Sequence, residues 1–179
     1  MVLKTHNIDY DLDLSRVWLF PGSFNPLHYG HTDILRKVTM EYGYSVFEIS
    51  KTNVDKPTLD DSEIDRRLEL FGEYPAIITD APKFVDKVNY GARNFVIGAD
   101  TLFRIIWRFP VQDIMDLHDN DVKFVVSPRN DMIEDGDIYR FTCELPKQCR
   151  IMIDKMIVGV LDYNNTISST QLREHNNEK

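Results

Sequence analysis

The stretch RVWLFPGSFNPLHYGH, residues 16–31, contains an apolar run, a turn rich in glycine and proline, and two histidines. Its first part, RVWLFPG (16–22), predicts a short buried β-strand that the Pro-Gly pair ends. HTDILRKVTMEYG (31–43) follows, with apolar residues at roughly helical spacing and Gly43 as a helix stop. A strand that runs through a short turn into a helix is the unit from which α/β folds are built.

The rest of the chain continues the alternation of strands and helices. Further strands are predicted at 44–50, 76–79, 94–100, 122–131, 138–145 and 156–163. Helices or helical segments are predicted at 60–74, 80–90, 101–109 and 111–120. This order predicts an α/β fold with a mostly parallel sheet flanked by helices. A chain of 179 residues suits one domain, which we place at 16–179 after an N-terminal extension at 1–15.

Composition and charge argue against several classes of protein. The net charge of −8 disfavours binding to nucleic acid, whose phosphates need Lys and Arg. No apolar run approaches the ~20 residues of a membrane helix, and the N-terminus lacks an apolar signal core. We therefore expect a cytoplasmic protein with no membrane partner. Cys143 and Cys149 are expected to be free thiols, although a disulfide between them stays open, as does a homo-oligomer.

Four polar segments each follow a predicted strand directly. They are PGSFNPLHYGH, SKTNVDKP, GAD and SPRND. The carboxyl ends of parallel strands meet at one edge of a sheet, and the ligands of such sheets bind there. We therefore expect these segments to form one site, and their convergence is stronger evidence than any single motif.

The turn at 22–31 has the chemistry of an anion site. Gly22 lets a ligand approach the backbone closely, and exposed amides before a helix N-terminus bind anions without a charged side chain. His28 and His31 stand three residues apart at the start of a helix, where both rings lie on one face and can donate to a phosphate. A metal site would need more ligands than this pair supplies. The alternative, two surface histidines beside a turn, is less favoured after GSFNP.

ISSTQLR (167–173) is the second informative motif. Ser168 followed three residues later by Gln171 is the pattern of a capping box, which predicts the start of a helix. The amides and hydroxyls of Ser169 and Thr170, together with Arg173, could instead form a second cradle for phosphate. The spacing leaves both interpretations open.

Together these motifs resemble a known enzyme superfamily. GSFNPLHYGH resembles the G-[ST]-F-x-P-x-H-x-G-H motif of the HxGH nucleotidylyltransferases, and ISSTQLR resembles their second signature, ISSTxxR. FEISKTNVDKP, FVIGADTLFRIIW and FVVSPR resemble central segments of nicotinamide or nicotinate mononucleotide adenylyltransferases. The resemblance covers 16–175 and implies a Rossmann-like sheet. It also implies the transfer of AMP from ATP to such a mononucleotide, with pyrophosphate released and NAD or deamido-NAD formed.

The resemblance implies roles at the triphosphate. His28 and His31 would hold it, with His31 nearest the reacting phosphorus, while Lys56 would contact phosphate, with Lys51 as its competitor. The residues implied in binding the ATP phosphates are Gly22, Ser23, Phe24, Asn25, Ser168, Ser169, Thr170 and Arg173. Mg²⁺ would come with the triphosphate, held mainly by phosphate oxygens and water, so we expect no all-protein metal site.

A second group of matched residues is implied in binding the nucleotide and the acceptor. Gly98 would allow close approach, Asp100 would accept from a ribose hydroxyl or an amide, and Arg129 would reach a phosphate. Trp107 would stack on the nicotinamide ring. For two of them a structural interpretation is also open, namely Asp100 as the N-cap of the next helix and Trp107 as a core side chain.

The acceptor is the part of this function that the residues constrain least. Pyridine mononucleotide enzymes often carry a further tryptophan after the strand at 76–79, where this chain has only Phe84 and Tyr90. One alternative keeps the chemistry and changes the acceptor to phosphopantetheine or, in a cytidylyltransferase, to a phosphorylated alcohol. Another alternative is a nucleotide-binding or ATP-hydrolysing regulator on the same fold.

Overall fold

The computed structural model describes residues 1–9, 11–52, 57–128 and 145–163. Several predictions concern other parts of the chain. The predicted strand at 138–145 lies outside the described residues except for its last position, and so do the ISSTQLR motif and the site residues Lys56, Arg129, Ser168, Ser169, Thr170 and Arg173. Cys143 lies outside them as well, whereas Cys149 is buried in the core.

Seven strands form one sheet in the described part of the chain. They are β1 (Val2–His6), β2 (Trp18–Pro21), β3 (Ser45–Ser50), β4 (Ala76–Thr79), β5 (Asn94–Gly98), β6 (Lys123–Ser127) and β7 (Ile157–Val160). Their spatial order is β1-β4-β3-β2-β5-β6-β7, with β1 antiparallel to β4 and all other neighbours parallel. From β2 onward this is the doubly wound order of Rossmann-like folds. The predicted single α/β domain with a mostly parallel sheet is confirmed.

Helices cover both faces of this sheet. In the described ranges they are α1 (Tyr29–Glu41), α2 (Asp61–Glu69), α3 (Phe84–Asn89), α4 (Ala99–Arg108), α5 (Val111–Asp119) and α6 (Lys147–Met156). The apolar sides of α1 and α2 share one core with Phe47, whereas α3 to α6 share the core on the opposite face with Val46. Adjacent residues of β3 point to opposite faces, so this central strand is buried on both sides. None of the helices within the described ranges is long and apolar enough to cross a membrane.

A buried ion pair interrupts the apolar interior beneath the turn after β2. Glu48 is 1% exposed, and its Oε1 accepts from Lys87 Nζ at 3.1 Å and from Thr79 Oγ1. A buried charge is tolerated only with such partners, because leaving water costs it several kcal/mol. The backbone carbonyl of Glu48 also accepts the N–H of Gly22 at 3.0 Å. The pair therefore ties α3 to the strand that supports the turn.

Two elements, β1 and α6, were not predicted from the sequence. β1 is mostly exposed and is held by pairing with β4, so its residues carry no apolar pattern that would mark a strand. The same N-terminal segment places Ile8 and Leu14 in the core. By contrast, α6 buries Cys149, Ile153 and Met156 at helical spacing, which is a signal the sequence does contain.

Candidate functional site

The structure brings the carboxyl ends of β2, β3, β5 and β6 to one edge of the sheet, as the sequence predicts. β2 and β5 are neighbours, and the chain leaves β2 toward one face and β5 toward the other. Their described ladder joins Trp18 to Asn94 and Leu19 to Phe95 and does not continue to the carboxyl ends of the two strands. Because ligands of doubly wound sheets bind in the crevice at this reversal, the candidate site lies between these two ends.

The turn after β2 is held in a strained conformation. Phe24 has a φ of +44°, in the left-handed region that a bulky residue rarely adopts, and its side chain is only 3% exposed. Its ring packs edge-on against Phe20, Phe47 and Phe71. Gly22 makes this possible, because a Cβ at that position would lie 2.5 Å from Phe24 Cζ. Close packing with the ring explains the glycine, which the sequence analysis assigned to a ligand.

The two histidines meet at the N-terminus of α1. His28 is the extended N-cap residue and His31 the third helical residue, and their rings stack with centroids 3.7 Å apart. The backbone N–H of His28 donates to Nδ1 of His31 over a long 3.4 Å. Because Nδ1 accepts this bond, the neutral ring of His31 carries its proton on Nε2. The ring is further fixed by an edge contact with Phe24, 5.0 Å between centroids.

The charge around this helix end suits an anion. The first-turn amides of a helix have no partner inside the helix, and its dipole places positive charge there. The first turns of α1 and α6 contain no acidic residue, whereas the first turns of α2, α3, α4 and α5 each contain one or more. An anion at α1 would therefore meet two imidazoles and the positive end of the helix dipole without a carboxylate on the same turn.

Two arginines of α2, neither of them predicted as a site residue, hold the turn from the side. Arg67 donates from Nη1 to the carbonyl of Ser23 at 3.0 Å, and Arg66 donates from Nη2 to Oδ1 of Asn25 at 3.0 Å. Both also bind the carboxylate of Glu63. Hydrogen bonds from Arg66 and then Arg67 lower the pKa of Glu63 from its usual 4.5 to about 2. The spacing of Glu63 to these arginines, three and four residues, was the available signal.

The junction after β5 is simpler. Gly98 ends the strand and is itself the N-cap of α4, with φ −76° and ψ 159°, so the N-cap role considered for Asp100 is wrong. Asp100 lies in the first turn of α4. A Cβ built on Gly98 meets no atom of the described residues within 4 Å. Gly98 is therefore required neither by its backbone angles nor by packing in this part of the chain.

Trp107 lies near the end of α4, about two and a half helical turns beyond Gly98. It is 58% exposed, which makes the interpretation as a core tryptophan wrong. Its ring stacks on Phe103 with centroids 5.2 Å apart and 14° between the planes. An exposed, ordered aromatic plane of this kind can stack on a planar ligand, as the sequence analysis expects of Trp107.

The segments after β3 and β7 are described in part. Lys51 follows β3, and its Nζ binds Asp61 at the start of α2 at 2.7 Å, while the competing Lys56 is outside the described residues. After β7, Leu161 joins the core of α1, and Asp162 accepts at its carbonyl from Lys37 of α1. The last described residues after β7 therefore lie beside α1.

The donors at the described part of the site are imidazoles, backbone amides and guanidinium groups. Such donors suit phosphate oxygens. Among the residues that the structure describes, no group of three or more His, Cys, Asp or Glu is arranged to hold a metal ion.

Comparisons with known proteins agree with this fold. The family model of cytidylyltransferase-like proteins matches residues 19–175. Among solved structures, the nicotinic acid mononucleotide adenylyltransferase of Plasmodium falciparum complexed with NaAD superposes with a TM-score of 0.52 at 14% identity, covering 88% of this chain and 82% of the other. The same enzyme complexed with APC gives 0.50 at 13% identity with the same coverage. No curated protein is significantly similar in sequence.

Proposed function

The chain belongs to the cytidylyltransferase-like family, and we propose that it is a nucleotidylyltransferase that transfers AMP from ATP to nicotinamide or nicotinate mononucleotide. Pyrophosphate leaves, and the product is NAD or deamido-NAD. The nucleotidylyltransferase fold and the family stand on the comparisons. The proposed identity of the acceptor is based on the resemblance of three segments to the pyridine mononucleotide enzymes, namely FEISKTNVDKP, FVIGADTLFRIIW and FVVSPR.

One observation carries the proposal. The stacked pair His28 and His31 lies at the acid-free N-terminus of α1, beside the crevice where β2 and β5 separate. Helix amides, the helix dipole and two N–H donors therefore converge where a doubly wound sheet binds nucleotides. A triphosphate matches this set of donors, because its charged oxygens accept charge-assisted hydrogen bonds.

The reaction needs alignment more than it needs a reactive side chain. A phosphate oxygen of the acceptor attacks the α-phosphorus of ATP, a new O–P bond forms, and the bond from that phosphorus to the pyrophosphate oxygen breaks. The acceptor phosphate is largely ionised at neutral pH, since its second pKa is about 6, so no general base is required. Nε2–H of His31 would donate to the charge that develops on the transferring group.

The remaining site residues are part of the same proposal. Ser168, Ser169, Thr170 and Arg173 would hold the β- and γ-phosphates and the leaving pyrophosphate. Lys56 and Arg129 would supply further positive charge at the phosphates. On the other side of the crevice, the space left at Gly98 would admit the nucleotide backbone, and Asp100 would accept a hydrogen bond from it. Trp107 would offer its exposed face to the pyridine ring.

Mg²⁺ fits this site as a companion of the triphosphate. Magnesium prefers oxygen ligands, and the described donors are nitrogen groups that bind the phosphates themselves. The ion would be held mainly by phosphate oxygens and water, and it would neutralise phosphate charge there.

One assay separates the proposed function from its alternatives. The purified protein is mixed with Mg²⁺ and either ATP or CTP, together with each acceptor in turn, and pyrophosphate release is followed. We expect release with ATP and nicotinamide or nicotinate mononucleotide, and the matching dinucleotide as product. Release only with CTP or only with another phosphorylated acceptor would refute the proposed substrates. Phosphate from ATP without any pyrophosphate would instead indicate the regulator.

A further inference from the structure

We infer that Arg67, braced by Glu63, is a positioning residue that keeps the peptide bond between Ser23 and Phe24 from flipping, and so keeps the amide of Phe24 directed away from α2 for a phosphate. This inference deepens the proposed function and rests on it for the identity of the ligand. Its basis is the contact of Arg67 with the turn, together with the strain at Phe24.

The contact fixes the orientation of one peptide plane. Arg67 Nη1 donates to the Ser23 carbonyl at 3.0 Å from the side of α2. In a planar trans peptide the carbonyl and the following N–H point in opposite directions. When Arg67 holds the carbonyl of Ser23, the N–H of Phe24 must therefore point away from α2. An N–H in that direction can donate a hydrogen bond to a ligand, whereas a flipped peptide would direct a carbonyl oxygen there and repel an anion.

The strain at Phe24 makes such a flip favourable in the absence of the contact. Phe24 has a φ of +44°. A residue other than glycine in the left-handed region costs on the order of 1–3 kcal/mol unless its surroundings enforce it. Half a turn of the Ser23–Phe24 peptide would carry Phe24 to negative φ and remove this cost. The buried ring fixes the side chain of Phe24, and Arg67 is the group described on the carbonyl that would have to move.

Arg67 is itself held rigidly. Its side chain is 11% exposed, and its Nε donates to Oε1 of Glu63 at 2.7 Å while Nη1 reaches Ser23. Arg66 binds the same carboxylate and Asn25, but its side chain is 50% exposed, so water and salt weaken its contribution. The fork geometry matters, because a lysine has one nitrogen and cannot bind the carboxylate and the carbonyl in the same way.

The chain offers a matched control in Arg93. Its Nη1 donates to the carbonyls of Val88 and Ala92, both at 2.8 Å, so it is also an arginine that anchors backbone. It precedes β5 and therefore lies at the opposite edge of the sheet from the candidate site. Arg93→Lys should reproduce the general cost of losing such an anchor without touching the turn.

The experiment compares Arg67→Lys and Arg93→Lys with the wild type. Titration calorimetry measures the affinity for Mg-ATP, hydrogen exchange measures how far bound Mg-ATP protects the Phe24 amide, and thermal unfolding measures stability. We expect Arg67→Lys to lose protection of that amide and to bind ATP at least about tenfold more weakly, with up to about a hundredfold loss of turnover where turnover is observed. Arg93→Lys should keep wild-type affinity at a comparable loss of Tm.

A second variant covers the case in which Arg67→Lys does not fold. Glu63→Gln keeps both arginines and removes the charge that braces them, and Glu69→Gln on the same helix is its control. Weaker ATP binding and faster exchange at Phe24 in Glu63→Gln alone would support the inference. Wild-type binding and exchange in the folded variants would overturn it and leave Arg67 as a structural anchor.

These readouts distinguish the inference from the proposed function. Binding and exchange do not depend on turnover. A wild type that binds ATP and releases no pyrophosphate with any acceptor would refute the transfer reaction, while weaker binding in Arg67→Lys would still support the positioning role. A wild type that turns over and an Arg67→Lys variant that is unaffected would refute the inference alone. A wild type that binds no ATP would overturn both.

Discussion

The turn after β2 and the junction after β5 lie on either side of one crevice and are built in different ways. Between Pro21 and Tyr29 the chain makes an irregular turn, in which the ring of Phe24, the arginines of α2 and the N-cap of α1 fix successive residues. By contrast, β5 passes directly into α4 without a connecting loop, because Gly98 ends the strand and Ala99 begins the helix. One region is enclosed by the fold, and the other leaves open space.

This difference matches what each side of the proposed reaction requires. Charged phosphates must be held with donors fixed in advance, because donors that reorganise during the reaction lose much of their stabilising effect. In the proposal the other side admits a nucleotide, and no described atom lies within 4 Å of the position that a Cβ on Gly98 would take. Packing against the ring of Phe24 therefore explains Gly22, whereas no described atom near Gly98 requires a glycine there.

The largest expected effect tests the enclosed side. Replacing His31 with alanine removes the Nε2–H donor at the N-terminus of α1, and we expect turnover to fall by roughly 10²–10³, the usual cost of losing one donor to the reacting group. Stability should fall only modestly, because stacking on His28 and Phe24 is lost. Pyrophosphate release and thermal unfolding measure the two effects. His118→Ala, in α5, is the control, and wild-type turnover in His31→Ala would mean that the triphosphate lies elsewhere.

Gly22→Ala should break the enclosed turn by overpacking. The new Cβ would lie 2.5 Å from the ring of Phe24, and the adjustment should cost about 1–3 kcal/mol of unfolding free energy. Denaturant unfolding measures this cost. The same change in a Phe24→Leu background should cost less, since the ring is then absent. Equal costs in both backgrounds would show that the ring does not determine the need for glycine at this position.

Lowering the pH should destabilise the protein by protonating Glu63, which holds the arginines of the enclosed side. The pKa of Glu63 is about 2 in the folded protein and about 4.5 in the unfolded chain. As pH falls, the unfolded chain therefore binds this proton first. The stabilisation it provides is complete above about pH 4.5 and is lost as pH falls from there toward 2. Unfolding free energy measured against pH should fall less steeply in Glu63→Gln than in Glu69→Gln. Parallel curves would show that Glu63 is not preferentially ionised by its arginines.

The smallest effect on stability is expected on the open side. Gly98→Ala introduces a Cβ that meets no described atom within 4 Å at a φ that any residue adopts, so stability should stay within about 0.5 kcal/mol of the wild type. Nucleotide affinity should nevertheless fall, because the methyl group occupies space that the proposal gives to the ligand. Calorimetric titration with ATP and with the acceptor tests this. A stable variant with wild-type affinity for both ligands would show that Gly98 is not needed to admit a ligand.

Most strands of the sheet were predicted from the sequence. Strands at β2, β3, β4, β5, β6 and β7 carry apolar or β-forming runs that end in Gly, Pro or polar residues, and all were predicted. β1 was missed because an exposed edge strand has no apolar pattern, and pairing with β4 alone defines it. The helix α6 was not predicted, although Cys149, Ile153 and Met156 lie at helical spacing and are buried in it.

Within the site, residue types were predictable and their partners were not. His28, His31 and Gly98 could be placed at strand and helix ends because local patterns fix those ends. Arg66 and Arg67 could not be assigned to the turn, because they are more than 40 positions from Ser23 and Asn25 and meet them only when α2 packs beside α1. The position of Trp107 on an exposed face likewise depends on how α4 is rotated against the sheet.

What the sequence determined by itself was local. It predicted a strand, a turn and a helix that begins at two histidines, and it predicted that strands and helices alternate along the rest of the chain. These features depend on spacing and on backbone preferences that neighbouring residues set. The tertiary structure alone decided that Gly22 makes room for the ring of Phe24, that Arg67 holds the carbonyl of Ser23, and that no described atom fills the space where a side chain on Gly98 would begin. Each of these depends on contacts between segments far apart in the chain, which exist only once the sheet and its two layers of helices have assembled.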